Sequence, residues 1–158
     1  MDEVQTIADF AKKLFLKDGY HIPLLLVKGT GGRKVVGLQE FGDTSDKRVQ
    51  DMLNTGTWLA CKHHVGDLEL IVFVCEGWMG TNINVRPSQD PNRIEVLQIA
   101  SLDVRTQEEQ VKAFQVKRDP KGTVSDLKEL IFPEKVETKG RLLPAFLKGY
   151  QIVSPVHN

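Results

Sequence analysis

The chain has 158 residues, of which 41% are hydrophobic and 27% are charged, and its formal net charge is zero. A length and composition of this kind are typical of a globular protein with one core, so we expect residues 1–158 to form a single domain. The balance of 21 basic and 21 acidic residues provides no general attraction to phosphate backbones or anionic lipids. Nucleic acids and membranes are therefore poor candidates for partners.

The N-terminal stretch and the cysteines indicate the compartment. Asp2, Glu3 and Asp9 lie inside an amphipathic pattern, where a signal peptide would need a continuous apolar region. No apolar run approaches the roughly 20 residues needed to span a bilayer. Cys61 and Cys75 both fall in segments that look buried, and nothing indicates export. We therefore expect a soluble, cytoplasmic protein with two reduced, unbridged thiols.

The first third of the chain predicts two helices and two strands. Apolar residues recur at helical spacing from about Asp2 to Lys17. The apolar run Leu24 to Val27 predicts a short strand, and Lys34 to Phe41 predicts a second one. Helical spacing returns from about Ser45 to His63, after several residues that can cap a helix.

At two places in this part of the chain, glycines allow more than one interpretation of the local structure. The cluster Gly29 to Gly32 invites comparison with a phosphate-binding loop, but such a loop needs a lysine followed by Ser or Thr and then a helix. Gly32 is instead followed by Arg33-Lys34-Val35-Val36, so we favour a hairpin turn. Gly56 costs about 1 kcal/mol relative to alanine inside a helix. The second helix therefore either continues through Gly56 or ends there, with residues 57–64 extended.

The six apolar residues Leu70 to Cys75 predict an interior strand that ends at Glu76-Gly77, because both of its faces would be buried. Further strands are predicted over residues 93–103 and 111–118, with a C-terminal helix over 141–148, and an additional short edge strand over 127–132 stays open. The order α-β-β-α-β-β-β-α indicates a single α+β domain, with helices packed on a mainly antiparallel sheet of about five strands. This element order is similar to that of roadblock and profilin-like domains.

A metal site is the first chemical possibility. The segment Cys61-Lys62-His63-His64, followed by Cys75, contains the ligand types of zinc sites. Its spacing differs from the paired C-x2-4-C and H-x3-5-H patterns of structural zinc sites. We therefore expect two core thiols, no metal and no cofactor.

The long loop after the core strand, residues 77–92, is the candidate binding site. Functional residues favour strand ends and long loops on rigid sheets. A purely structural interpretation stays open, in which Arg93 pairs with Glu76, residues 90–93 form a β-turn and Trp78 covers the core. The candidate binding residues are Glu76, Trp78, Met79, Arg86, Asp90, Arg93 and Glu95.

These residues also form a recognisable pattern. It reads Val72-Phe73-Val74-x-Glu76-Gly77-Trp78-Met79, followed by Arg86-Pro87-Ser88-x-Asp90-Pro91-x-Arg93-x-Glu95-Val96-Leu97. The pattern resembles a widespread family of small uncharacterised prokaryotic α+β proteins. The resemblance implies no particular activity, but it draws attention to this loop.

Two functions follow, and the sequence does not decide whether the protein is an enzyme. The first is a non-enzymatic binding or assembly module that docks a protein partner or a second copy through the 77–93 loop, with a sheet edge as a second surface. The second is a metal-dependent or carboxylate-based hydrolase that uses Glu40 and Glu76, both at strand exits. We favour the module, because the sequence places no nucleophile beside these carboxylates.

Overall fold

A computed structural model of the protein describes residues 2–38, 41–42, 44–80, 84–85, 89–131 and 141–153. The described strands form one six-stranded antiparallel sheet, in the order β2-β1-β3-β4-β5-β6. The predicted α+β class is confirmed, with six strands instead of about five. The elements are α1 (Glu3–Asp18), β1 (Leu24–Gly29), β2 (Gly32–Gly37), α2 (Ser45–Lys62), β3 (Leu68–Met79), β4 (Ile94–Asp103), β5 (Glu108–Arg118), β6 (Val124–Glu129) and α3 (Leu142–Val153).

Helix α1 begins and ends at local signals. The Asp2 side chain accepts a hydrogen bond of 3.0 Å from the backbone N–H of Val4, which caps the first turn. Gly19 ends the helix in the left-handed conformation, at φ 77°, and its N–H donates to the carbonyl of Phe15. The predicted helix from Asp2 to Lys17 is confirmed to within one residue at each end. None of the helices in the described ranges is both long and apolar enough to cross a membrane.

Strands β1 and β2 form a tight antiparallel hairpin. Gly29 pairs with Gly32, which leaves a two-residue loop of Thr30 and Gly31. The N–H of Gly31 donates to the carbonyl of Val65 over 2.7 Å, so the loop is tied to the segment that follows α2. The predicted hairpin turn is confirmed, although β2 ends at residue 37 instead of residue 41.

Strand β3 is an interior strand, as predicted, but it is longer than expected. Residues 71–74 are all buried, in agreement with a strand that is covered on both faces. The predicted end at Glu76-Gly77 is wrong, because the strand continues to Met79. Trp78 is of a type that favours extended structure, and Gly77 introduces neither a positive φ nor a close contact. The candidate loop therefore begins after residue 79.

Other boundaries in the second half differ by a few residues. Strand β5 begins at Glu108, three residues before the predicted 111–118, and Gln107 has a positive φ of 62° just before it. Strand β6 starts three residues before the predicted 127–132, and helix α3 continues to residue 153. Apart from β6, which adds a strand before α3, the predicted element order is kept, because the ends of helices and strands are set by weaker local signals than their centres.

Residue contacts divide the chain into two compact units. The first comprises residues 1–23, 74–100 and 111–136, and the second comprises residues 24–73, 101–110 and 137–158. Strands β3, β4 and β5 each contribute residues to both units. A single domain therefore stays a prediction.

In the first unit, α1 packs against β6 and β5. The ammonium group of Lys12 lies 4.8 Å from the ring centroid of Phe114, and Lys112 donates a hydrogen bond to the side chain of Gln5. Phe15 of α1 and Leu97 of β4 are fully buried. The core of this unit consequently extends up to the C-terminal end of α1.

In the second unit, α2 and α3 contact each other through glycines. A Cβ at Gly56 would lie 2.1 Å from the carbonyl oxygen of Phe146, and a Cβ at Gly149 would lie 2.0 Å from that of Leu53. Only glycine permits two helix backbones to approach so closely. The alternative in which α2 ends at Gly56 is wrong, because packing against α3 outweighs the cost of about 1 kcal/mol for a glycine in a helix.

We expect Gly56→Ala to destabilise the protein. The new methyl group must separate α2 from the α3 backbone, and overpacking of this kind costs about 1–3 kcal/mol, partly offset by the better helix propensity of alanine. Urea denaturation measures the change. Gly77→Ala is the matched control, because a Cβ at that position would meet no atom within 4 Å. Equal stability of the two variants would contradict the close helix contact.

The single-domain prediction is testable with the two tryptophans. Trp58 lies in the second unit and Trp78 in the first. The variants Trp58→Phe and Trp78→Phe each keep one tryptophan, which reports on one unit. In a cooperative domain, the urea midpoint measured by the fluorescence of that tryptophan equals the midpoint measured by circular dichroism in the same variant. Fluorescence midpoints that diverge from circular dichroism, with Trp58 and Trp78 unfolding in separate steps, would show that the units unfold independently.

Candidate functional site

The candidate site lies in the first unit, at the end of β3. Side chains alternate between the two faces of a strand, so Glu76 and Trp78 share one face. Both are exposed, Trp78 with 46% of its surface accessible. Val74 precedes them on the same face and is buried. This face of β3 therefore changes from core to surface within two residues.

Arg93 lies over Trp78 and not against Glu76. Its guanidinium carbon is 4.5 Å from the ring centroid of Trp78. No ion pair between Arg93 and Glu76 occurs among the described residues, so the predicted anchor is wrong. The extension of β3 beyond Gly77 brings Trp78 within reach of Arg93, and a cation over an exposed tryptophan ring contributes about 0.5–1 kcal/mol.

Asp90 shapes the turn that leads into β4. Its Oδ1 accepts a hydrogen bond of 2.8 Å from the N–H of Asn92, and its carbonyl accepts one of 3.1 Å from the N–H of Arg93. The predicted turn over residues 90–93 is confirmed. Asp90 is only 2% exposed, so the expectation that the loop presents it to a partner is wrong. Its polar atoms bond within the turn instead.

Glu95 is held by Arg118 from the end of β5. The Nε and Nη2 atoms of Arg118 donate to the two carboxylate oxygens over 2.9 and 2.6 Å. The same guanidinium donates to the carbonyls of Gly122 and Gly19, over 2.8 and 3.1 Å. Arg118 thereby joins β4, the turn after β5 and the end of α1. A bidentate pair of this kind is stronger than a single contact.

Glu76 is the remaining carboxylate. Partial burial, followed by the nearby Glu95 carboxylate, raises its pKa above the usual value of 4.5. A hydrogen bond from the backbone of His21 and the charges of Arg118 and His21 act in the opposite direction. The pKa is raised on balance, so the surroundings of Glu76 disfavour its ionised form.

His21 completes the cluster, from the segment after α1. The residue is buried, and its Nδ1 lies 2.7 Å from the carbonyl oxygen of Ile22. A carbonyl can only accept, so Nδ1 donates in this contact and carries a proton. This bond fixes the orientation of the ring.

Sequence reasoning missed His21 and Arg118. His21 follows the glycine that ends α1, and Arg118 is the last residue of β5 before a turn. Both positions are strand or helix ends, which is the same signal that identified Glu76. Nothing in the sequence pairs Arg118 with Glu95, because that contact depends on the register between β4 and β5.

Of the predicted residues, Met79 is half-buried, and Arg86 lies outside the described residues.

The alternative sites receive no support from the described residues. Glu40 lies outside them, so its pairing with Glu76 stays a prediction. Cys61 and Cys75 are unbridged, as expected, but Cys61 is exposed and Cys75 half-buried, so the expectation of two core thiols is wrong. Leu59 and Ala60 occupy the buried face of α2, which turns Cys61 toward solvent. No group of three or more His, Cys, Asp or Glu side chains in the described ranges could hold a metal ion.

Comparison of the chain with protein-family models, curated proteins and solved structures found no match. The function of the site therefore has to follow from its own residues.

We expect Arg118→Ala to reduce the free energy of unfolding by about 1–2 kcal/mol. The substitution leaves Glu95 partly buried without its cation and removes two bonds to backbone carbonyls. Arg141→Ala is the matched control, because Arg141 and its partner Asp46 are both largely exposed and 3.4 Å apart. Urea denaturation compares the two variants. A loss for Arg118→Ala no larger than that for Arg141→Ala would show that the network is not stabilising.

The raised pKa of Glu76 has a consequence for stability. Between its unfolded and folded pKa values the folded state binds more protons, so the free energy of unfolding falls as the pH rises through that window above 4.5. We expect Glu76→Gln to remove this fall and to become more stable than the wild type as neutral pH is approached. Urea denaturation at a series of pH values measures the free energy of unfolding of each variant. Glu129→Gln is the control, because Glu129 is exposed on β6. A wild-type pH profile in Glu76→Gln would contradict the assignment.

Proposed function

We propose that the protein is a non-enzymatic binding module whose contact surface is centred on Trp78 and Arg93. The observation that supports this most is the guanidinium of Arg93, which lies 4.5 Å from the ring of a tryptophan that is 46% exposed. Tryptophan and arginine are the residues that most often dominate the energy of protein interfaces. Their contact orders both side chains before a partner arrives, which reduces the entropy lost on binding.

Further apolar side chains belong to the same unit. Tyr20 is 62% exposed and Ile22 is 48% exposed, and both flank His21, whose backbone and charge act to lower the pKa of Glu76. We define the binding surface as Tyr20, Ile22, Glu76, Trp78 and Arg93. An exposed aromatic and aliphatic centre with charged neighbours is the composition expected of a protein interface.

The partner in this proposal is a protein or a second copy of the chain. A net charge of zero provides no general attraction to nucleic acid, whereas an exposed tryptophan and tyrosine favour protein contact. Edge strand β2 is the second surface, because Val35 on it is 57% exposed and an edge strand can pair with another chain.

We place the module in the cytoplasm. Cys61 is exposed and free. An exposed thiol of this kind persists in a reducing compartment and is prone to oxidation outside it.

Trp78→Ala tests the proposal, with Trp58→Ala as a matched control. Trp58 is exposed to almost the same extent, 44%, but lies on α2 outside the binding surface. We expect Trp78→Ala to lose self-association in light scattering, or to lose the proteins that co-purify with the wild type, by at least about tenfold, or about 1.4 kcal/mol. Trp58→Ala should behave as the wild type.

Circular dichroism confirms that both variants are folded. Unchanged association in Trp78→Ala would refute the proposed surface. A stoichiometric divalent metal in protein purified without chelator would favour the hydrolase instead, because carboxylate-based hydrolysis commonly employs such an ion.

A further inference from the structure

We infer that the partner presents a lysine or arginine side chain that pairs with Glu76 and lies with its aliphatic part against Trp78. The inference rests on the proposed binding function and specifies the chemistry of the protein that the surface recognises.

Arg93 of the binding surface and the nearby Arg118 already form contacts within the protein. Arg118 donates to both oxygens of Glu95 and to two backbone carbonyls. Arg93 lies on the Trp78 ring and donates to the carbonyl of Asp90 over 3.3 Å. An anionic partner would have to compete with these existing contacts.

Glu76 is in the opposite situation. Its side chain is exposed, and none of the basic side chains in the described ranges forms an ion pair with it. The neighbouring Glu95 repels the ionised carboxylate of Glu76, and the opposing charges of Arg118 and His21 each have a smaller effect on its pKa. An incoming cation would relieve this repulsion, whereas an incoming carboxylate would increase it.

The exposed Trp78 ring favours a cation that carries an apolar portion. Trp78 lies two residues along the same strand face as Glu76 and is 46% exposed. Lysine and arginine carry three or four methylene groups below their charge, so one side chain can cover apolar atoms and still reach a carboxylate. Because Arg93 already lies on the tryptophan ring, the partner side chain contacts the exposed remainder of the ring with its methylene groups. A bare metal ion would gain nothing from these apolar neighbours.

The ionisation of Glu76 makes the pH dependence of binding a second measurable property. Binding of a cation requires its carboxylate to be ionised, and partial burial with Glu95 nearby raises its pKa. Binding should therefore release a proton and tighten as the pH rises through the titration of Glu76.

The test is selection of a phage-displayed library of random peptides against the immobilised full-length protein. Trp78→Ala, Glu76→Gln and the control Glu129→Gln are screened in parallel. We expect peptides selected on the wild type and on Glu129→Gln to be enriched in Lys and Arg. Synthetic versions should bind Glu76→Gln at least about tenfold more weakly, a loss of about 1.4 kcal/mol. Replacing the selected lysine by norleucine should cause a similar loss and abolish the pH dependence.

The outcomes separate the inference from the proposed function. Peptides that need Trp78, but contain no enriched basic residue or bind Glu76→Gln as tightly as the wild type, would refute this inference alone. Peptides that bind wild type, Trp78→Ala and Glu76→Gln equally, or a library that yields no Trp78-dependent peptide, would refute the binding surface and the inference with it.

Discussion

The register of strand β3 is the constraint on which both the core and the binding surface depend. The same alternation buries Val74 and exposes Glu76 and Trp78 two and four residues later on the same face. A shift by one residue would exchange the two faces, so that Glu76 and Trp78 would lie on the opposite side of the sheet. The hydrophobic pattern of the first half of the strand therefore positions the side chains of the proposed binding surface in its second half.

The entry to β3 is fixed from the other end of the chain. Tyr150 of α3 is buried, its hydroxyl accepts a hydrogen bond of 3.1 Å from the N–H of Val65, and it donates to the carbonyl of Gly66 over 2.6 Å. Burial raises the pKa of this hydroxyl, which keeps it protonated as a donor. The close contact of Gly56 with α3 permits this arrangement, because a side chain there would move Tyr150 away. A glycine that weakens the helix locally thus contributes to the placement of the strand.

The proposed binding surface lies beside charges that are paired within the protein and includes the Glu76 carboxylate, which forms no ion pair among the described residues. Arg118 holds Glu95, the turn after β5 and the end of α1 together, so the backbone around the surface is stabilised before binding. Glu76 forms no such ion pair among the described residues, and its raised pKa is a free-energy cost of the folded state at neutral pH. Binding sites commonly carry a local cost of this kind, which a partner with the complementary charge would remove.

Local features of the sequence determine most of the elements. Asp2 and Gly19 define the ends of α1, the glycine cluster forces the β1–β2 hairpin, and the apolar run at 70–75 identifies the interior strand. These predictions are confirmed because capping, tight turns and buried strands depend on residues close together in the chain. The turn over residues 90–93 belongs to the same class.

Tertiary structure alone decided which distant residues meet. The sequence marked Glu76, Trp78, Arg93 and Glu95 as candidates, but the expected Arg93–Glu76 pair is replaced by Arg93 over Trp78 and Arg118 against Glu95. These pairings follow from the lengths and register of neighbouring strands, and a short extension of β3 beyond Gly77 is enough to change a partner. The role of Gly56 was hidden for the same reason, since a glycine is unfavourable inside an isolated helix and becomes necessary only where a second backbone, here α3, lies against it.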